Sequence, residues 1–244
     1  MLLNPDTQNM IQKLNQEIVA CRRCPRLVAW REGVALTPPR RFLGEGYWAR
    51  PLPGFGDASA RLFVIGLAPA AHGGNRTGRV FTGDRSGDWL FRALWKAGFA
   101  NQPASVHIDD GLQLLNCYIA AACRCAPPDN KPLPQELANC RPYLLRELNW
   151  FFGDENEKVR PNSGVLLGLG KIGFDAAFDA ARAVGLTEIK TRPKFGHSAE
   201  VRLNEKLTLM GTYHPSQQNT FTGRLTEPML DAVFTRINEI LQET

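Results

Sequence analysis

No run of eighteen apolar residues occurs in this 244-residue sequence, and no charged-then-apolar leader opens it, so it indicates neither membrane spanning nor secretion. There is no internal repeat. A cytoplasmic protein is expected, and in that reducing compartment the six cysteines read as metal ligands or buried thiols rather than disulfides. Acidic residues are scarce between positions 21 and 50, where seven arginines face only Glu32 and Glu45. A basic edge of that kind, in a chain of net charge +5, suits a phosphate backbone better than a small acidic metabolite. A solvated charged face is the plain alternative.

A hydrophobic content of 43% is enough for a proper core, and the chain reads as a single domain over residues 1–244. Residues 7–20 place Met10, Leu14 and Ile18 on one helical face behind Thr7, a candidate N-cap. Residues 33–60 carry Pro38, Pro39, Pro51 and Pro53 and read as an irregular wrap. Strands are expected over 61–66, 114–122 and 163–169, with a hairpin of 202–203 and 207–212 turning at Asn204-Glu205. Helices are expected after Ser86 as cap, with Leu90, Leu94 and Trp95 inward; from about Pro134, bent or restarted by Pro142; and over 170–184 and 226–243. This alternation predicts an α/β fold, a three-layer α/β/α sandwich around a central, mainly parallel four-stranded sheet.

Residues 66–90 follow the apolar run Leu62-Phe63-Val64-Ile65 and so leave the carboxyl end of a strand, where open α/β sheets bind ligands. Six glycines in these 25 residues let the backbone approach a ligand closely. Two further loops, 123–132 and 213–224, leave the same end of the sheet. In the second, His214, held by Pro215 and Ser216, can donate a hydrogen bond to a developing anion.

Cys21 and Cys24 have a two-residue spacing, whereas Cys125 and Cys140 flank a proline-rich turn. Four thiolates suit zinc or an iron–sulfur cluster equally on softness. Zinc ribbons usually repeat the two-residue spacing, which the second pair lacks, and this favours the cluster. Cys117 reads as core, Cys123 is a rival ligand beside Cys125, and four unrelated buried thiols are the alternative. Gly168-Leu169-Gly170-Lys171-Ile172-Gly173, with Glu188 downstream, matches a dinucleotide fingerprint on paper. It follows the third strand and holds Lys171 in its turn, so a tight strand-to-helix turn is expected there instead.

Taken together, these stretches resemble the iron–sulfur uracil-DNA glycosylases of the B type, also called family five. Gly66-Leu67-Ala68-Pro69-Ala70, continuing to Gly83-Asp84-Arg85-Ser86-Gly87, is similar to that family's first motif, and His214-Pro215-Ser216 with Asn219 to its second. Cys125-Ala126-Pro127-Pro128 and Cys140-Arg141-Pro142, paired with Cys21 and Cys24, are similar to its cluster-binding region. The resemblance spans residues 15–235. It implies an enzyme that flips a damaged nucleotide out of DNA and hydrolyses its glycosidic bond, leaving an abasic site. It also implies a structural four-iron, four-sulfur (4Fe-4S) cluster on Cys21, Cys24, Cys125 and Cys140. The expected partner is DNA, double- or single-stranded, and the chain is expected to be a monomer.

By the same resemblance Phe81 stacks on the extruded base, Asn130 hydrogen-bonds its pyrimidine edge, His214 stabilises charge on the base oxygen, and Asn219 helps place base or water. Ala68 stands where other glycosylase families carry an acidic or amide side chain, so Asn75 is expected to position the water. Arg76, Arg79 and Arg224 are the expected phosphate contacts, and Phe221 or Leu225 the minor-groove wedge. The pattern further implies a tolerant pocket that admits deaminated purines such as hypoxanthine. All of this requires the segments near 66–84, 123–131 and 213–224 to meet around one cavity sized for a nucleobase. A non-catalytic, cluster-stabilised nucleic-acid-binding module is the alternative that Ala68 leaves open.

Overall fold

The structure, a computed structural model, describes residues 5–153 and 163–243, with the side chains of residues 5–9 outside the description. Six strands form one sheet: β1 (Phe55–Gly56), β2 (Leu62–Gly66), β3 (Cys117–Ala121), β4 (Gly164–Leu169), β5 (Glu200–Arg202) and β6 (Leu207–Thr212). Their order is β1-β3-β2-β4-β6-β5. The four central strands are parallel, and β1 and β5 pair antiparallel at the two edges. The expected four-stranded sheet is therefore the parallel centre of a six-stranded one. Edge β5 is the outer arm of the expected hairpin, lying at Glu200–Arg202 rather than 202–203, whereas β1, two residues long, leaves little apolar signal to read.

Around the sheet lie α1 (Pro5–Val19), α2 (Pro25–Leu36), α3 (Gly74–Thr77), α4 (Arg85–Lys96), α5 (Pro134–Phe152), α6 (Gly170–Ala183), α7 (Gln217–Phe221) and α8 (Glu227–Gln242). Every residue of the central strands is buried, so they read as continuous apolar runs rather than alternating ones. Successive side chains still serve opposite faces. Leu62 and Val64 pack with Leu90 and Leu94 of α4 and Phe234 of α8, whereas Phe63 and Ile65 pack with Phe151 of α5 and Phe174 and Phe178 of α6. These two cores make the three layers.

Several local expectations need correction. No helix is expected over 25–36, yet α2 forms there with Pro25 at its first turn and Leu27 and Arg31 buried one turn apart. Asp84 rather than Ser86 caps α4, its carboxylate accepting from the Gly87 N–H at 3.0 Å, and Trp95 is exposed. Helix α5 continues through Pro142. Strand β3 starts at Cys117, while Leu114 makes only an isolated bridge to Ala100. The cap expected of Thr7 lies outside the described side chains. Among the described residues no helix is long and apolar enough to cross a membrane.

The glycines of 168–173 are explained by packing. A Cβ on Gly168 would lie 2.3 Å from the Phe174 Cα, one on Gly173 would lie 2.4 Å from the Ile65 carbonyl oxygen, and Gly170 has φ +73°. The turn thus brings α6 hard against β2 and β4. Because the obstacle at Gly173 is backbone, Gly173→Ala is expected to lower stability by about 1–3 kcal/mol. Urea unfolding measures it.

Candidate active site and cysteine cavity

The sheet runs from β2 to β3 on one side and back across to β4 on the other. The carboxyl ends therefore form a switch point, the usual place for a ligand in an open α/β sheet. Phe81 and His214 meet there, their ring centroids 6.0 Å apart and their planes 37° to one another. Both are placed by close backbone approach. A Cβ on Gly66 would stand 2.6 Å from the Phe81 ring, and one on Gly87 only 1.8 Å from the Phe81 carbonyl oxygen. The Asn219 Nδ2 donates to the His214 carbonyl at 2.8 Å, and the Ser216 Oγ accepts from the Asn219 N–H at 3.4 Å, capping α7. Asn219 therefore acts on the backbone of His214. Burial pushes the His214 imidazole down to about 4, so the ring is neutral at pH 7 and can donate one N–H.

Beside this pair opens a cleft of about 930 Å³, lined by Ala70, Asp84 and Ser86 from the first loop, Pro127 and Asn130 from the second, and Ser216 from the third. The three expected segments do meet, around a space larger than one pyrimidine needs. Phe81, Asp129 and Asn130 all have left-handed φ, between 53° and 55°. Such backbone costs about 1–3 kcal/mol per residue and concentrates where function demands it.

The remaining expected site residues scatter. Asn75 is 1% exposed; its Nδ2 donates to the carbonyls of Arg31 at 3.2 Å and Ala71 at 3.4 Å, while its Oδ1 is buried without a protein partner. Ala68 packs beside Cys123 and Cys125. Arg79 is corrected from phosphate contact to core: it is 4% exposed and pairs with Asp110 at 2.7 Å, Ser105 and Thr82. Burial alone would raise the Asp110 carboxyl, but Arg79 and three backbone N–H groups hold it at about 2. Arg76 lines the cleft but is occupied by Glu45 at 2.5 Å and by the carbonyls of His72 and Gly83, so it is not a free phosphate contact. Leu225 is fully buried in the core and cannot serve as the wedge. Phe221 is 67% exposed, with the Arg85 guanidinium 4.5 Å from its ring centroid, and Arg224 is exposed over Tyr213.

At the far side of the first loop, Cys21, Cys24, Cys125 and Cys140 line one small cavity of about 10 Å³. Cys117 is buried in the sheet core, whereas Cys123 packs with Cys125 and Cys140 at the cavity's edge and donates to the Cys125 carbonyl. Donors face the cavity sulfurs: the Arg31 Nη1 to Cys125 at 3.0 Å, the Asn139 Nδ2 to Cys24 at 3.4 Å and the Arg124 N–H to Cys140 at 3.5 Å. Arg31 and Arg124 are each 1% exposed and keep unpartnered nitrogens, Nε of both and Nη1 of Arg124. Buried cations with spare N–H groups suit a negatively charged occupant.

Fold and site together set an aromatic plate against a neutral imidazole at the carboxyl end of an α/β sheet, beside a cleft roomy enough for a nucleobase. The profile of the Uracil DNA glycosylase superfamily matches residues 53–242, and the chain belongs to that superfamily. It is 48% identical over 224 residues to a type-5 uracil-DNA glycosylase of Mycobacterium tuberculosis, covering 92% of this chain and 79% of that one. It is 47% identical to a type-5 enzyme of Thermus thermophilus, covering 88% and 90%. A type-4 uracil-DNA glycosylase of Archaeoglobus fulgidus is 28% identical, over 68% and 70% of the two chains.

Sequence reasoning missed Asp84 as a cap, Arg31 as a sulfur donor and Trp30 and Phe42 as cleft lining. The last three follow from overlooking α2 and the turn after it. Pro25 directly after Cys24, with apolar Leu27 two residues on, was the available signal.

Two measurements check this geometry. In NMR titration the His214 ring is expected to protonate near pH 4 rather than near its ordinary 6.5. Arg79→Met is expected to cost about 3–5 kcal/mol in urea unfolding, because Asp110 stays buried unpaired, and to leave the salt dependence of DNA binding unchanged.

Proposed function

We propose that this chain is a monofunctional DNA glycosylase of base excision repair, which flips uracil out of DNA and hydrolyses its N-glycosidic bond to leave an abasic site. The observation that carries the reading is the Phe81–His214 pair at the sheet's carboxyl end, next to a cleft lined by Asn130 and by Gly83 and Ser216, two residues from each ring of the pair. The extruded base stacks on Phe81, and Asn130 hydrogen-bonds its pyrimidine edge. His214 donates its N–H to the base oxygen as the C1′–N bond breaks. A neutral imidazole suits this, since it stabilises the forming anion without a proton to lose in advance. Asn219 keeps His214 in place through its carbonyl. The free Oδ1 of Asn75 orients a water whose hydroxyl adds to C1′ and whose proton ends on the departing base. With Ala68 offering no carboxylate, the cationic sugar is stabilised by backbone dipoles and the DNA phosphates. Phe221 is the wedge and Arg224 a phosphate contact, and hypoxanthine falls within the substrate range.

Cys21, Cys24, Cys125 and Cys140 hold a 4Fe-4S cluster. Support comes from the cavity itself. Four thiolates line it, and N–H donors of Arg31, Asn139 and Arg124 face three of the sulfurs, as suits a negatively charged cluster. The cluster supplies a cross-link between the amino-terminal segment and α5, and hydrolysis draws no electrons from it.

Base release from uracil-containing duplex tests the function, and binding without abasic product would favour the non-catalytic alternative. In single-turnover assays His214→Ala is expected to lose about 100-fold or more in rate, and a loss under about threefold would remove its role. A brown protein absorbing near ~400 nm and containing iron is expected, against a colourless one for zinc.

A further inference from the structure

The cleft has more room and a different wall than one flipped base requires. Beyond the loops already assigned it is lined by Trp30, Arg41, Phe42 and His72. Three of these are aromatic, and Phe42 and His72 pack together. The Phe42 ring lies 5.9 Å from His72, with the guanidinium carbons of Arg76 at 4.2 Å and Arg41 at 4.8 Å from its centroid, and Tyr47 hydrogen-bonds His72 at 2.9 Å. Trp30 is 38% exposed on α2, whose inner side is fixed by buried Leu27 and by Arg31 on the Cys125 sulfur. It is thus a large flat surface on a rigid support, turned into the cleft.

The charge of the lining selects what would lie against it. Three arginines, Arg41, Arg76 and Arg85, face three aspartates, Asp84, Asp88 and Asp129, so the cleft is close to balanced. A trough for phosphate would be strongly cationic. A balanced cleft with an aromatic flank suits the uncharged face of a base.

We propose that Trp30 is a second stacking position, holding an unpaired base adjacent to the excised nucleotide on the same strand. In taking DNA as the ligand this rests on the glycosylase reading. Flipping one nucleotide unstacks its neighbours, and a neighbour that finds Trp30 recovers part of that loss. The same contact is open to single-stranded DNA, where neighbouring bases have no partner strand.

Fluorescence anisotropy on two labelled single strands tests the assignment. Both carry tetrahydrofuran at the lesion position; in the second strand its two neighbours are tetrahydrofuran as well. Trp30→Ala is expected to weaken binding of the first strand about tenfold and to leave the second within about twofold of wild type, with Trp30→Phe restoring most of the affinity. Equal losses on both strands, which a loosened α2 would also give, or no loss on the first, overturn the proposal. Retained absorbance near ~400 nm in Trp30→Ala shows α2 still docked on the cysteine cavity. Failure of the glycosylase reading shows separately, as no abasic product from the wild-type chain on a uracil strand, since the binding comparison needs no turnover.

Discussion

A guanidinium can be buried only where something anionic or strongly accepting meets it, and Arg31 and Arg124 impose that demand on the cysteine end of the molecule. Arg124 is answered by Glu147 of α5. Arg31 is answered by the Cys125 sulfur, with surface Glu32 no nearer than 3.7 Å. Arg31 has a second task, because its own carbonyl receives the Asn75 amide from the loop after β2. One residue therefore grips the cysteine cavity with its side chain and the substrate loop with its backbone. Whatever neutralises the cavity also fixes the loop.

Placement of the reacting groups depends on the opposite kind of economy, the absence of side chains. Gly66 and Gly87 leave room for the Phe81 ring and carbonyl, and a Cβ on Gly170 would stand 3.2 Å from the His214 Cβ. Phe81 accepts a left-handed backbone to fit between them. The packing around the Phe81–His214 pair thus depends on positions that carry no side chain.

Much of this was legible from residue pattern. Apolar runs read at 61–66, 114–122, 163–169 and 207–212 marked the parallel centre because strands buried on both faces are almost wholly apolar. The three loops carrying Phe81, Asn130 and His214 could be assigned to one end of the sheet by topology alone. Arginines misled, since sequence shows charge and not its partner: Arg79 looks like Arg224 until Asp110 is placed beside it. Leu225 looked like a wedge because it follows Phe221, but the turn after α7 carries the chain from an exposed ring to a buried aliphatic side chain. Helix α2 was hidden by Gly33 and the prolines just beyond it.

The two edges of the sheet have a bearing on how copies of this protein meet. Strand β1 offers two residues, one of them Gly56 with φ +138°, and β5 offers three, with Glu200 and Arg202 outward and Glu200 already engaged by Arg236. An incoming strand finds neither a long ladder to extend nor a flat apolar face to rest on. Crowded copies are thereby denied the cheapest route to cross-chain polymer growth, and the broad parallel centre, the most association-prone part of the chain, stays private to each molecule.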